Sequence, residues 1–317
     1  MLLSIQTGNL VDEMGFGAYR MFREAGFEAI DWNLDHAWKF SRVSKAEELE
    51  GLCVFEKPLG EILAAYADEV AAIRDAGLVI TQAHAPFAPY DVGRTDILAY
   101  ATKIYQNMIP FCSAVGCGNL IVHGISYKQA EPEEVSLADI NRLTMDMYRA
   151  LIPALLETRQ NGGTPVTVCL ENLFSRYDTL GRGFRDGCCS DPHEAVYMID
   201  TLNAEAGCDC FGLCVDTGHL NLLRKDFRWW IPVLGKRIVA THIHDNDQMN
   251  DSHLYPYAGN ICWQEFLHAM RGIGYDRDLS FETYAQTVSA RLPRELVPAY
   301  LRLNAQIGQY FRDFITG

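Results

Sequence analysis

Short runs of β-branched and apolar residues alternate along this chain with longer stretches whose apolar positions recur every three to four residues. The short runs have the length and composition of buried strands, and the long ones have the period of amphipathic helices. Eight strands are expected: 2–7 (LLSIQT), 28–34 (EAIDWNL), 79–84 (VITQAH), 119–124 (NLIVHG), 167–172 (TVCLEN), 212–217 (GLCVDT), 239–244 (VATHIH) and 279–284 (LSFETY). Helical patterns lie between them, among them EILAAYADEVAAIRDAG, LAYATKIYQNMIPFCSAVG and ADINRLTMDMYRALIPALLETRQNG, each closed by a glycine stop signal. The stretch SDPHEAVYMIDTL carries a start signal: Asp191 as N-cap, Pro192 at the first helical position and Glu194 three residues after the cap. Eight strand–helix units predict a single (β/α)8 TIM barrel spanning residues 1–317 rather than an open sheet. A doubly wound sheet would carry a glycine-rich phosphate loop after an early strand, and the sequence has none. Residues 35–58 are too long for an ordinary strand-to-helix connection and are expected to fold over the barrel mouth as a lid or edge.

Composition narrows the partners. The formal charge of −14, from 27 basic and 41 acidic side chains, repels phosphate backbones and anionic lipid, so neither nucleic acid nor a membrane is expected. No apolar run approaches the ~20 residues a membrane span needs. Most of the ten cysteines lie inside apolar runs and none forms a CxxC pair. With no signal-peptide pattern at Met1 either, reduced thiols and a cytoplasmic location are expected. A homo-oligomer is compatible with this composition.

The chemistry concentrates where a barrel would bring it together. THIHDNDQMNDSH, residues 241–253, packs three histidines and three aspartates, with no lysine or arginine among them. In a (β/α)8 barrel the C-terminal strand ends converge on one face. Those ends carry His84, His123, Glu171, Asp216, His242 and Glu282, with His219 one turn after Asp216 and Asp251 and His253 in the loop after the seventh strand. Glu171 and Glu282 stand inside apolar strands with no basic neighbour in sequence. Burying a carboxylate that way costs several kcal/mol unless a cation meets it. Carboxylates and imidazoles on one rim therefore point to a divalent metal site. His244, two residues from His242, is expected to orient a ligand rather than bind. His36, His193 and His268 are expected to be ordinary surface or helix residues.

The segments AHAPF (83–87), VHG (122–124), LEN (170–172), VDTGH (215–219), HIHD (242–245), DSH (251–253) and FET (281–283) together resemble the xylose isomerase-like barrels. That superfamily includes sugar isomerases and 3-epimerases, inosose dehydratases and apurinic-site endonucleases. Similarity to the epimerase branch implies one divalent metal (Mn, Mg, Co or Zn) held by Glu171, Asp216, His242 and Glu282. Similarity to the endonuclease branch implies up to three zinc ions, with His84, His123, His219, Asp251 and His253 as further ligands. In the sugar-acting reading those five serve a second metal or the substrate. The chain departs from both patterns: LYPYAGNICW follows DSH where a GEG-like turn is usual, and Gln248 stands where the epimerases carry an arginine.

The resulting expectation is a metal-dependent isomerase or epimerase of a small sugar, sugar phosphate or polyol. Glu171 and Glu282 act as base and acid through a metal-bound enediolate. A cyclic-polyol dehydratase shares the opening proton abstraction. A multi-zinc phosphodiester hydrolase fits the full ligand set but not the charge, and a barrel that only binds its ligand is a third reading. Substrate contacts are expected from Trp32, Phe87, Gln248 and Arg176. Arg176, with Arg182 and Arg185, could serve a phosphate or simply sit on the surface.

Overall fold

The computed structural model describes residues 1–38, 43, 45–87, 89–90, 94–127, 136–176, 183–283 and 292–317. Its eight main strands are β1 (Leu3–Gln6), β2 (Ala29–Asn33), β3 (Val79–His84), β4 (Asn119–Ile121), β5 (Thr167–Glu171), β6 (Phe211–Asp216), β7 (Ile238–His242) and β8 (Leu279–Phe281). Six fall within two residues of the expected stretch at either end, and β4 and β8 end three residues before theirs. They form one parallel sheet in the order β7-β6-β5-β4-β3-β2-β1-β8. The ends of that order meet: Ile243 N–H donates to Ser280 O at 2.8 Å, and Glu282 N–H donates to Ile243 O at 3.1 Å. The sheet thereby closes on itself as a TIM barrel, which leaves no open edge.

Helices follow the strands and bury their apolar faces against the barrel, among them Gly17–Ala25, Thr95–Val115, Pro192–Ala206, Trp263–Gly272 and Val297–Thr316. The apolar core is the layer between the two, where Tyr19, Phe22, Phe111, Trp263, Phe266 and Phe281 are fully or almost fully buried. Asp191 caps its helix as expected, accepting from His193 N–H at 2.8 Å. Glu194 differs from a capping box: its carboxylate accepts from Cys189 N–H at 3.0 Å, two residues before the cap. Cys189 has a φ of +58°, and that left-handed turn points its N–H back at the helix. All ten cysteines are free thiols. No helix among the described residues is long and apolar enough to cross a membrane.

The stretch 35–58 begins at the mouth, where the Asp35 carboxylate accepts the backbone N–H of Phe87. Its later residues pack on the helix layer: Trp38 stacks on Tyr100, and Phe55 packs on Tyr66 and Phe111. Residues 39–42 and 44, which the expected lid includes, lie outside the described residues.

The barrel interior is small and partly polar. Beneath the mouth, Ile121, Cys169, Cys214 and Ala240 form an apolar plug, while Ser4, Asp31, Gln82 and Ser280 are buried beside it. Two register shifts aim side chains at the mouth. Between Leu213 and Cys214 the pairing with β7 skips one residue, which sets Asp216 level with His242. Between Ile30 and Asp31 the pairing with β3 skips one too, which sets Asp31 level with Gln82 and Asn33 level with His84.

Candidate metal centre

Glu171, at the end of β5, is the hub. Its Oε2 lies 2.9 Å from His123 Nε2, 3.3 Å from His242 Nδ1 and 3.8 Å from His84 Nε2; its Oε1 lies 3.4 Å from His219 Nδ1. Glu282 closes the other side, with Oε2 3.5 Å from His242 Nδ1 and 3.7 Å from His253 Nδ1. Gln6 fixes it by donating to Oε1 at 2.7 Å. Asp216 is fully buried, caps the short helix Thr217–Leu222 through His219 N–H at 2.6 Å, and meets His244 Nε2 at 2.9 Å.

The imidazoles are anchored on one nitrogen. His84, His219 and His253 donate from Nδ1 to the backbone carbonyls of Ala85, Asn172 and Glu282, at 2.8, 2.9 and 3.0 Å. This fixes the ring and frees Nε2: that of His84 faces His123 Nε2 at 3.0 Å, and those of His219 and His253 face Asp251 Oδ2 at 3.6 and 3.2 Å. His242 is oriented the other way. Its Nε2 meets Asp31 Oδ2 at 3.0 Å, and its buried Nδ1, facing Glu171 and Glu282, has no hydrogen-bond partner.

The electrostatics follow from this crowding. Burial alone would raise the Glu171 pKa, but His123 and His242 outweigh it and hold the carboxyl well below the usual range. Asp216 is lowered against its burial by His219 and His244, and Asp251 well lowered against its burial by His253 and His219. Burial opposes the charged form of His219 as well, but Asp216 and Asp251 push it well up. His242 also rises well above its ordinary value against burial, through Cys214, Glu171 and Glu282. His84 and His123 share one carboxylate. Burial wins at His123, which is lowered, while the Glu171 bond wins over burial at His84, which is raised.

These donors fit a divalent cation. Ligand atoms of Asp216, His242 and Glu282 all lie within 4.8 Å of one another, as do those of His84, His123 and Glu171. Glu171 also lies 3.3 Å from His242 Nδ1 and so links the two neighbourhoods. A buried set of carboxylates around an unpartnered imidazole nitrogen suits Mg, Mn, Co or Zn.

The structure thus brings together Glu171, Asp216, His242 and Glu282, with His84 and His123 on one flank and His219, Asp251 and His253 on the other. Phe87 stands at the rim, 40% exposed, beside the rings of His84 and His123. Trp32 is a correction. Alternation along β2 turns Asp31 inward and Trp32 outward, so its indole is buried against Tyr66 and Phe111 and donates to Glu69 Oε1 at 3.0 Å. It cannot cover a ligand in the mouth. Gln248, at a φ of +66°, is tied to the neighbouring helix by a 3.0 Å bond to Asn221 Oδ1. The Arg176 side chain and Arg182 lie outside the described residues. His244 orients Asp216, and its ring stacks on His253 at 4.1 Å.

Several residues of the centre were not singled out from sequence: Gln6, Asp31, Asp35, Asn172 and Asp245. Asn172 bonds the Asp216 backbone on both sides, at 2.8 and 2.9 Å. Asp245 pins the following loop by accepting from Tyr257, Ile261 and Trp263. Asp31 had a readable signal, since it is a charged residue inside an apolar strand like Glu171.

Comparison with known proteins agrees with the fold. The family model described as xylose isomerase-like TIM barrel matches residues 19–302. An uncharacterized protein of Sinorhizobium fredii is 25% identical over 272 residues, 83% of this chain and 79% of that one. An uncharacterized protein of Methanocaldococcus jannaschii is 32% identical over 112 residues, 35% of this chain and 36% of that one. Among solved structures, a D-psicose 3-epimerase in the presence of D-fructose superposes with a TM-score of 0.67 at 16% identity, covering 100% of both chains. A 3-keto-D-glucoside 4-epimerase from E. coli superposes with a TM-score of 0.66 at 16% identity, covering 96% of this chain and 99% of that one. At such identities the likeness is one of fold.

Proposed function

The chain belongs to the xylose isomerase-like TIM barrel family, and from that premise we propose that it is a divalent-metal-dependent isomerase or epimerase of a small sugar or polyol. The observation that carries the proposal is the pair of carboxylates facing one unpartnered imidazole nitrogen, Glu171 at 3.3 Å and Glu282 at 3.5 Å from His242 Nδ1. The epimerase identity of the two superposed structures agrees with it.

Glu171, Asp216, His242 and Glu282 would hold the ion. When bound, it supplies the positive charge that acidifies a proton on carbon next to a carbonyl. Glu282, the more accessible carboxylate, and the nearly buried Glu171 enter from different strands, β8 and β5, so they can reach opposite faces of a substrate carbon. One removes the proton and the other returns it, to the opposite face in an epimerase or through the neighbouring carbon in an isomerase. Gln6 holds Oε1 of Glu282 and leaves Oε2 turned to the centre. The Nε2 atoms of His84, His219 and His253, which face His123 and Asp251, would exchange those partners for substrate oxygens, and Phe87 covers the rim. Incubation with neutral ketoses in deuterium oxide tests this reading. Deuterium should enter at a carbon adjacent to the carbonyl, stop on chelation and resume with a divalent ion. Metal-loaded protein that exchanges no carbon-bound proton in any ketose, aldose or keto-inositol would overturn it.

A second reading has its own observation. His84, His123 and Glu171 form a separate group whose ligand atoms lie within 4.8 Å, and its Glu171 lies 3.3 Å from His242 of the first. A multi-zinc phosphodiester hydrolase would use both. The chain's charge of −14 argues against a nucleic-acid substrate.

A further inference from the structure

We infer that Asp31 is a positioning residue that holds His242 with Nδ1, not Nε2, turned to the metal centre. The inference rests on the metal-dependent reading above. Asp31 lies on β2 and His242 on β7, strands that are not neighbours in the sheet, so their 3.0 Å bond crosses the barrel interior. Both side chains are 0% exposed.

Three features separate this contact from ordinary core packing. His84, His219 and His253 rest their Nδ1 on neutral backbone carbonyls, whereas His242 rests its far nitrogen on a carboxylate, as His244 does on Asp216. A buried carboxylate with no lysine or arginine costs several kcal/mol. The bonds Asp31 makes are to His242, to Gln82 Nε2 at 2.7 Å and to Ser280 Oγ at 3.5 Å, all on Oδ2, while Oδ1 has no partner. An uncharged side chain would satisfy the same neighbours at less cost, so the charge itself has a use. Finally, the register shift at Ile30/Asp31 turns this side chain level with Gln82, whose amide fixes the carboxylate from below. A carboxylate accepting the far N–H of a ligating imidazole sets its tautomer and raises its basicity.

Zinc affinity measured by chelator competition, together with the proton spectrum of the zinc-loaded protein, tests this. Wild type should bind zinc and show a slowly exchanging, downfield His242 Nε2–H. Asp31→Ala should lose about 10- to 100-fold in zinc affinity and lose that resonance. Asp31→Asn, the same shape without the charge, should keep the resonance at higher field and bind zinc a few-fold more weakly. If the alanine variant does not fold, the asparagine variant decides alone. Wild-type affinity in either variant overturns the positioning role and leaves the metal-dependent reading standing. A wild type that binds no divalent ion overturns that reading, and this inference with it.

Discussion

Gly218 has room for a hydrogen and nothing larger. A methyl group there would lie 2.0 Å from Cε1, 2.4 Å from Nδ1 and 2.7 Å from Nε2 of His244. The ring cannot yield cheaply. Thr217 holds the His244 backbone at both N–H and carbonyl, His253 stacks on its face at 4.1 Å, and Nε2 is bonded to Asp216 at 2.9 Å. Restoring ordinary contact requires a shift of more than about 1 Å, because non-bonded carbons settle near 3.5–4.0 Å. That shift breaks the Asp216 bond. Overpacking costs about 1–3 kcal/mol, and a lost hydrogen bond to a charged group about 1.5–3 kcal/mol. Gly218→Ala should therefore lose about 3 kcal/mol or more in urea unfolding of the chelated protein. Freed from His244, Asp216 should also bind metal about 10- to 100-fold more weakly, which isothermal titration reads. His244→Ala removes the obstacle, so the double variant should be more stable than the two single losses added together. A Gly218→Ala protein within about 0.5 kcal/mol of wild type would refute the reasoning, since that is the range of an inconsequential surface change.

Glu282→Gln should cut carbon–deuterium exchange by about 10²- to 10⁴-fold while leaving measurable metal binding, read by proton spectra and titration on the same sample. Near-wild-type exchange would remove it as an acid–base group. In the chelated protein, burial works against charging His253, but Glu282 and Asp251 raise it from 6.5 to about 10. Its stabilisation is thus complete below the ordinary histidine value and lost as pH rises through about 10, so the chelated protein should unfold at lower urea at pH 10 than at pH 6. Metal affinity should run the other way, rising with pH as the raised His242 gives up its proton. Trp32→Phe should cost about 1–3 kcal/mol of stability through the lost hydrogen bond to the Glu69 carboxylate, whose Oε1 keeps Tyr19 O–H as its remaining donor, and leave the substrate KM unchanged. A shifted KM would return Trp32 to the mouth.

Most of the barrel was legible because strand and helix periods differ and each buried face repeats its period over several residues. The residues at the strand ends were legible for a related reason: Glu171, Asp216 and Glu282 are charges inside otherwise apolar strands, and the fold can bring such charges to only one place. The direction of individual side chains was not. Whether Trp32 or Asp31 faces the mouth depends on which face of β2 the closed sheet turns inward, and a strand buried on both faces does not announce it. The Asp31–His242 bond joins residues 211 apart on opposite sides of the barrel, so only the closed sheet reveals it. The same holds for Gln6, which reaches Glu282 across 276 residues. Glu194 failed as a capping-box partner because the left-handed turn at Cys189 offers its carboxylate a nearer N–H.

The most direct test of the metal-centred account is elemental analysis of the protein after reconstitution with manganese, cobalt or zinc, beside an Asp216→Ala variant. The account predicts about one tightly held ion per chain, in line with a one-metal sugar site, and a large loss of it in the variant. No retained ion in the wild type would contradict the metal centre itself. Three zinc ions per chain would contradict the isomerase and epimerase assignment in favour of the multi-zinc hydrolase.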